Sequence, residues 1–303
     1  MNRRNSKLAR GLVDAFLRLW HMRNLLLLVI PYFLLLGWLF VGGSRMDTRP
    51  AAVYEVPRQP AWEKPDAEHW FGTTGNGADL FELSRLAMAN SVAAAVVSVS
   101  GGIALALLVA MLFVFDPGTR RFALLQAARR TGFLLPSMVV LVILTGGGGG
   151  SFGVVIFGFV LVIAFHLCPV LADWFQEGEK GFDVMAGYIL GLSRREIVRN
   201  RVLPGVLHRL IGVFAVCVPV VVLAEMTLSF LGLTGDRLNC GAMIASGQGL
   251  LIEAPWMSIY PGVMATVVVL VLTLLGWGVS ASLRTRLSAS SLKHHGNRSE
   301  PFA

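Results

Sequence analysis

Long stretches of this chain carry almost no charge. "LLLLVIPYFLLLGWLFVGG", "SVAAAVVSVSGGIALALLVAMLFVF" and "VVIFGFVLVIAFHLCPVL" are three of them. A helix needs about 20 apolar residues to cross the hydrocarbon of a bilayer. Six segments meet that length, at 24–42, 90–115, 131–149, 152–175, 210–233 and 259–283. In lipid, a helix satisfies its own backbone hydrogen bonds, so repeated segments of this length predict transmembrane helices. The composition agrees: 55% of residues are hydrophobic and 15% charged, where soluble domains carry about 25% charged residues. The expected fold class is an all-α polytopic membrane protein with about six transmembrane helices.

The formal net charge is +8, and the placement of the basic residues gives it meaning. Arg3, Arg4, Lys7 and Arg10 lie in the amino-terminal tail; Arg120, Arg121, Arg129 and Arg130 follow the second apolar segment. Arg194, Arg195, Arg199 and Arg201 lie between the fourth and fifth segments, and Arg284 and Arg286 follow the sixth. With six crossings all of these fall on one side. The positive-inside rule makes that side cytoplasmic, together with both termini. The basic excess therefore reads as topology, and it lacks the aromatic interleaving that stacks nucleic-acid bases. The layout expected is a cytoplasmic tail (1–23), a first transmembrane helix (24–42), an external loop (43–89), a five-helix core (90–285) with a cytoplasmic loop at 176–205, and a second cytoplasmic tail (286–303). No A-x-A cleavage site follows the first segment, so it reads as an uncleaved span. Trp62 and Trp70 in the external loop suit an interfacial position.

Chemistry-bearing motifs are scarce. "TGGGGGS" (Thr145–Ser151) has no following Lys-Ser or Lys-Thr, as a phosphate-binding loop requires, and reads as a flexible outer turn. "ASGQG" (Ala245–Gly249) reads as an external loop. Cys168, Cys217 and Cys240 stand singly; the first two fall inside spans and read as apolar filler, and Cys240 lies on the outer side with no partner evident in the sequence. His166, mid-span, is expected to hold an interhelical hydrogen bond. No catalytic residue, metal ligand or cofactor site is expected in this chain. Glu225 is the clear carboxylate inside a span. An ionisable group at that depth points to function by default. Two roles stand open for it, with Ser229 and Gly232 beside it: lining a translocation path, or bonding a neighbouring helix or the broken backbone near Gly232.

"AGYILGLSRREIVRNRVLPG" (Ala186–Gly205) is a polar segment between two apolar ones. Its pattern predicts one short helix, a stop at Gly191, and a second short helix. Ser193 and Glu196 have capping-box spacing, Ile197 and Val198 form an apolar edge, and Pro204 is expected to end the second helix. Two short helices set at an angle make a knob suited to a groove on a soluble partner.

This segment resembles the coupling (EAA) loop of inner-membrane permeases of ABC importers. Met185-Ala186-Gly187, Gly191, Ile197 and Leu203-Pro204 occupy the motif positions. More specifically, the chain resembles the dipeptide/oligopeptide/nickel permease family. Glu225, Leu228-Ser229-Phe230-Leu231-Gly232-Leu233, Gly241-Ala242-Met243, Ala254-Pro255-Trp256 and Pro261-Gly262 match one motif region. His69, Gly72, Thr73, Gly77 and Asp79 match another. The departures are Met185 in place of the motif glutamate, Gly187 for its second alanine, Thr74 and Ala78 ahead of the second span, and Cys240 for a tryptophan.

The resemblance implies a type I importer permease fold in a bacterial inner membrane. It implies a second homologous permease subunit, one or two cytoplasmic ABC ATPases that bind ATP and Mg, and an extracytoplasmic substrate-binding protein. Peptides or similar small polar solutes would be the cargo. The ATPase-coupling loop would comprise Asp183, Met185, Ala186, Gly187, Gly191, Ser193, Arg194, Arg195, Glu196, Ile197, Leu203 and Pro204, with Asp183 standing in for the missing glutamate. The alternatives are a degenerate or scaffold subunit, for which Met185 is the support, and a stand-alone secondary transporter, which would call for several intramembrane charges.

Overall fold

Asp79 starts the first long helix. Its Oδ1 accepts from the backbone N–H groups of Phe81 (2.8 Å) and Glu82 (3.3 Å), donors that the first turn would otherwise leave unpaired. The helix, α1, runs Leu80–Phe115, so the last part of the expected external loop is helical. Glu82 and Arg85 interrupt the apolar run there. They sit one turn apart and pair at 2.6 Å, which lets the helix begin before the hydrocarbon does.

The structure is a computed structural model and describes residues 62–115, 137–147, 151–235 and 237–296, with positions 30, 31, 34 and 37. After α1 come α2 (Ser137–Gly147), α3 (Phe152–Glu179), α4 (Phe182–Ile189) and α5 (Arg194–Ile197). A wide π turn, Val198–Val202, leads into α6 (Leu203–Phe230); α7 (Cys240–Gly247) and α8 (Trp256–Gly296) complete the order. Among the described residues there is no strand beyond an isolated bridge between Thr73 and Asp79. Four helical runs are long and apolar enough to cross a membrane: Leu80–Leu112, Phe152–Glu179, Arg194–Phe230 and Trp256–Leu283. The chain is thus an all-α polytopic membrane protein. The described part of the expected 131–149 span is α2, whose 11 residues rise about 16 Å. The rest of that span and most of 24–42 lie outside the described residues.

Several local expectations change. The helix expected at 210–233 starts at Leu203 and ends at Phe230. Gly232 follows it with φ +75°, and the bonds Leu233 N–H to Leu228 O (2.9 Å) and Gly232 N–H to Ser229 O (3.0 Å) close a Schellman cap. Thr145–Gly147 belong to α2, while Gly148–Gly150 lie outside the described residues. Ala245–Gly247 finish α7 and Gln248–Leu250 form a 3-10 turn, so "ASGQG" is largely helical. Asn239 caps α7 through Ala242 N–H at 2.9 Å, and Gly247 lies against Ser258 of α8, which fixes that turn in place. His166 bonds Val162 O of its own helix at 2.8 Å, not a neighbouring helix.

Small residues set how closely the long helices approach. A side chain at Gly276 of α8 would collide with the Ala215 carbonyl of α6, and one at Gly102 of α1 would meet Ile163 of α3 at 2.6 Å. Lipid tails are as apolar as leucine, so close backbone packing of this kind replaces the hydrophobic drive available in water. Buried residues gather in two main cores. One joins α1, α6, α7 and α8 through Leu80, Met88, Val222, Leu228, Met243 and Leu272. The second, at the other end of the bundle, joins Ala106, Leu171 and Phe175 to Val184, Ile197, Val198 and Val202.

Residues 62–79 fold over the first of these ends. Phe71 stacks on Tyr260 of α8 at 4.9 Å. Gly72, at φ +77°, presses against the Glu63 carbonyl and the Trp256 ring, a conformation and a fit that only glycine allows. Trp62 and Trp70 are half or more exposed. His69 Nδ1 lies 3.2 Å from Asp79 Oδ2, so the residue that caps α1 also holds this loop. The hydrogen bond to Asp79 raises the His69 pKa above its ordinary 6.5, with Asp66 and Glu63 adding in the same direction and partial burial opposing. A raised imidazole pKa contributes stability that is complete below about pH 6.5 and is lost as pH rises through the folded value. Hydrogen exchange of residues 62–79 should therefore be slower at pH 6 than at pH 8.5 after correction for intrinsic rates. His69→Phe should remove that difference, and a difference that survives it would contradict this assignment.

Candidate functional site

The residues singled out at 183–204 come together as one knob at the end of the bundle occupied by the second core. α4 ends at Ile189 with Leu190 as its C-cap, and Gly191 follows with φ +76°. Leu192 N–H bonds Gly187 O (3.1 Å) and Gly191 N–H bonds Tyr188 O (3.0 Å), the same Schellman arrangement that ends α6. Two residues later Ser193 caps α5. Its Oγ accepts from Glu196 N–H, and the Glu196 carboxylate accepts from Ser193 N–H at 2.9 Å. A reciprocal cap of this kind is worth about 1 kcal/mol.

The two short helices touch at Gly187. A Cβ there would stand 3.3 Å from Ile197 Cγ1, so the glycine at this motif position lets α4 lie directly on α5. Val184, Ile197, Val198 and Val202 are buried in this contact. Pro204 does not end the second helix, as its sequence position suggests. The helical run continues from Arg194 to Phe230. Within it the Leu203 N–H bonds Val198 O, an i→i−5 bond. The wide turn absorbs the crowding that a proline ring imposes on the preceding turn. Leu203 is half-buried and Pro204 exposed.

Two ion pairs fasten α5 and α6 to the end of α3. Arg194 donates through Nε (3.1 Å) and Nη2 (3.0 Å) to Glu179 Oε1, with a further bond to Oε2 at 3.2 Å. Arg209 of α6 donates to Glu177 at 2.7 Å and lies over the Trp174 ring at 5.6 Å. Partly exposed pairs contribute about 1 kcal/mol or less each, but these fix the angle between α3 and α6. Sequence reasoning missed Glu177, Glu179 and Trp174. The available signal was acidic residues closing an apolar run opposite a cluster of arginines.

What remains on the knob surface is apolar and basic. Met185, Tyr188, Ile189 and Leu190 are exposed by 64%, 48%, 82% and 75%. Ala186, Arg195, Arg199 and Arg201 are also exposed. The Asp183 backbone lies in the first turn of α4, and its side chain lies outside the described residues.

Glu225 and Ser229 form a separate feature near the opposite end. Glu225 is 1% exposed. Its Oε1 accepts from Ser229 Oγ (2.9 Å), which accepts from Thr234 Oγ1 (3.0 Å), which accepts from Asn239 Nδ2 (3.0 Å). All four residues are buried. Because Asn239 also caps α7, this chain ties the last turns of α6 to the start of α7 through one carboxylate. Ser91 Oγ of α1 lies beside the Glu225 carboxylate. Gly232 takes no part in the chain; it turns the backbone between Ser229 and Thr234. Gly241 brings α7 against Met226 and Ser229 where any side chain would collide. Thr234 and Asn239 were not singled out from sequence, because five-residue steps through a loop have no helical or strand period. Among the described residues no cluster of His, Cys, Asp and Glu could hold a metal ion.

Comparison with known proteins gives one consistent set of relatives. The chain is 31% identical over 106 residues to a peptide transport system permease protein of Brucella suis, covering 34% of this chain and 36% of that protein. It is 26% identical over 229 residues to the oligopeptide transport system permease protein OppC of Mycobacterium tuberculosis, covering 73% of this chain and 77% of that one. It is 26% identical over 223 residues to the D,D-dipeptide transport system permease protein DdpC of Escherichia coli, covering 71% and 72%. The match spans about a third of the length of the Brucella relatives. No protein-family model matches the chain.

The Glu225 chain makes a discriminating prediction. Truncation to Ala leaves the buried Ser229 hydroxyl without its acceptor, at a cost of about 1–3 kcal/mol. Glu225→Gln keeps an oxygen where Ser229 Oγ donates. The apparent melting temperature of the detergent-purified chain should fall for Glu225→Ala and stay close to the parent for Glu225→Gln. Equal destabilisation by both would mean that the charge, and not the acceptor, is what this position needs.

Proposed function

We propose that this chain, a homologue of the bacterial peptide and oligopeptide transport system permeases, is a membrane-spanning subunit of an ATP-driven importer for peptides or similar small polar solutes. It forms half of the translocation path, and a second, related permease forms the other half. The observation that carries this reading is the knob itself. A preorganised polar element, braced by a Schellman cap, a capping box and a bidentate ion pair, interrupts two long apolar helices. A connecting loop would not require that bracing. The sequence holds no phosphate-binding motif, so the free energy for transport enters from outside the chain, and the knob is a rigid place for it to enter.

In this reading one or two cytoplasmic ABC ATPases grip the knobs of the paired permeases, and ATP and Mg act within those partners. Closure of the ATPases moves α3 and α6 through the core that they share with the knob. At the other end, loop 62–79, α7 and the start of α8 receive an extracytoplasmic substrate-binding protein. The Glu225 chain serves as a packing element that keeps α7 registered on α6 while the bundle moves. The chain is a transport subunit of the bacterial inner membrane and not an enzyme. Pro169, Pro219 and Pro261, inside α3, α6 and α8, supply bends that a moving bundle tolerates.

Affinity purification of the tagged chain from its native membrane, with mass spectrometry of its companions, tests this reading. One related permease and one or two ABC ATPases should copurify. Recovery of the chain alone, under conditions that keep a known ABC importer intact, would contradict it.

A further inference from the structure

His166 is an ionisable side chain exposed in the middle of a membrane helix. It lies near the centre of α3, which is long and apolar enough to cross a membrane. The large exposed side chains that share α3 with it, Phe157, Leu161 and Phe165, are apolar. Its Nδ1 is 2.8 Å from the Val162 carbonyl one turn back. A carbonyl oxygen only accepts, so Nδ1 carries the hydrogen and the neutral ring keeps a lone pair on Nε2. Nothing among the described residues donates to that lone pair. The Phe165 ring makes a T-shaped contact with the imidazole at 5.7 Å, so the helix itself holds His166 in place. The same turn carries a second acceptor. Pro169, inside α3, has no N–H to return to the Phe165 carbonyl.

We infer that this turn of α3 lines a wet stretch of the translocation path, where His166 Nε2 and the Phe165 carbonyl accept hydrogen bonds from N–H and ammonium groups of the passing solute. The inference rests on the proposed function and names the part of the path, and the kind of solute group, that this chain recognises. Hydrocarbon offers no donor, so an acceptor left bare at that depth is costly in lipid. Water and solute N–H groups do offer donors. Both groups accept and neither donates at this point, so the site favours donors and cations over anions. The amide N–H groups and the ammonium end of a peptide fit that preference. Two neutral acceptors hold such a group only weakly, which lets it move on, as passage requires. The site also lies where motion arrives. Leu167 and Cys168, the next two residues, are buried in the core shared with the knob, so a displacement of the knob carries His166 with it.

A fixed contact with the second permease is the other reading of an exposed polar side chain in a span. The internal support argues against it. A side chain that waits for a partner helix leaves its orientation to that partner, whereas Val162 and Phe165 orient this ring within α3. An acceptor positioned in advance suits a ligand that comes and goes.

The test uses the full-length chain in its native membrane with one added cysteine, Phe165→Cys, which keeps both the backbone carbonyl and His166. Cys168 and Cys240 are buried and Cys217 is half-buried, so the parent chain sets the background. Two charged thiol reagents are compared, aminoethyl methanethiosulfonate and sulfonatoethyl methanethiosulfonate, each rate divided by its rate with a free thiol in solution. Both should label position 165 above the parent. The aminoethyl reagent should lead by at least about tenfold, the order of a hydrogen bond to a charged group. His166→Leu in the same chain should cut that lead at least about threefold, through loss of one acceptor. His166→Gln keeps an acceptor and should preserve the lead, which separates lost chemistry from lost folding. Mass spectrometry of the same preparation reports whether the second permease and an ABC ATPase copurify. With both present, labelling by neither reagent overturns the inference and leaves the proposed function standing, because the turn is then dry. Preference for the sulfonate, or a lead that His166→Leu leaves unchanged, overturns it too. Absence of both companions from the parent preparation removes the proposed function, and the path with it.

Discussion

The contact between Gly187 and Ile197 is the joint on which the rest depends. Ile197 is fully buried, and its neighbours Val198, Val202 and Val184 share one core with Leu171 and Phe175 of α3 and Ala106 and Ala110 of α1. Protein interiors are close-packed and transmit strain instead of absorbing it. A push on the knob therefore arrives at two long helices without passing through a flexible segment. The absent side chain at 187 eases the contact, since a carbon there would stand 3.3 Å from Ile197 Cγ1.

The two ends of the bundle use different physics for related tasks. At the knob end, caps and ion pairs lie in a polar environment where each contributes modestly, and their number compensates. Near the opposite end a single buried chain, from Asn239 to Glu225, ties α7 to α6. All four residues are buried, so each unmade hydrogen bond is costly and each made one is specific. Both ends also use the Schellman cap, at Gly191 and at Gly232, to turn the chain sharply after a helix.

Much of this was legible from sequence where a local rule operates alone. The capping box at Ser193 and Glu196 and the helix stop at Gly191 follow from short-range backbone chemistry, and both are present. The apolar runs mark the long helices for the same reason. Sequence reasoning failed where one local effect overrode another, and where a distant partner decides the outcome. Charged Glu82 and Arg85 delayed the expected start of α1, though their mutual pairing keeps them helical. Pro204 marked a helix end, though a π turn carries the helix past it. His166 was assigned to a neighbouring helix, but a carbonyl of its own helix satisfies it. Glu179 was invisible as a partner of Arg194, because the fifteen-residue separation spans a turn whose angle no local pattern specifies.

The central claim is that the knob and the membrane helices move as one body. Spin labels at Ala186 on α4 and at Ile252, which is 98% exposed at the opposite end, report that directly by pulsed dipolar spectroscopy. The measurement belongs in the assembly proposed above, in lipid, with and without a non-hydrolysable ATP analogue. The account predicts one narrow distance distribution within the chain that does not change when the nucleotide binds. A distribution that broadens, or that splits with nucleotide, would show that α4 swings on a tether and that force does not pass through the Gly187–Ile197 joint.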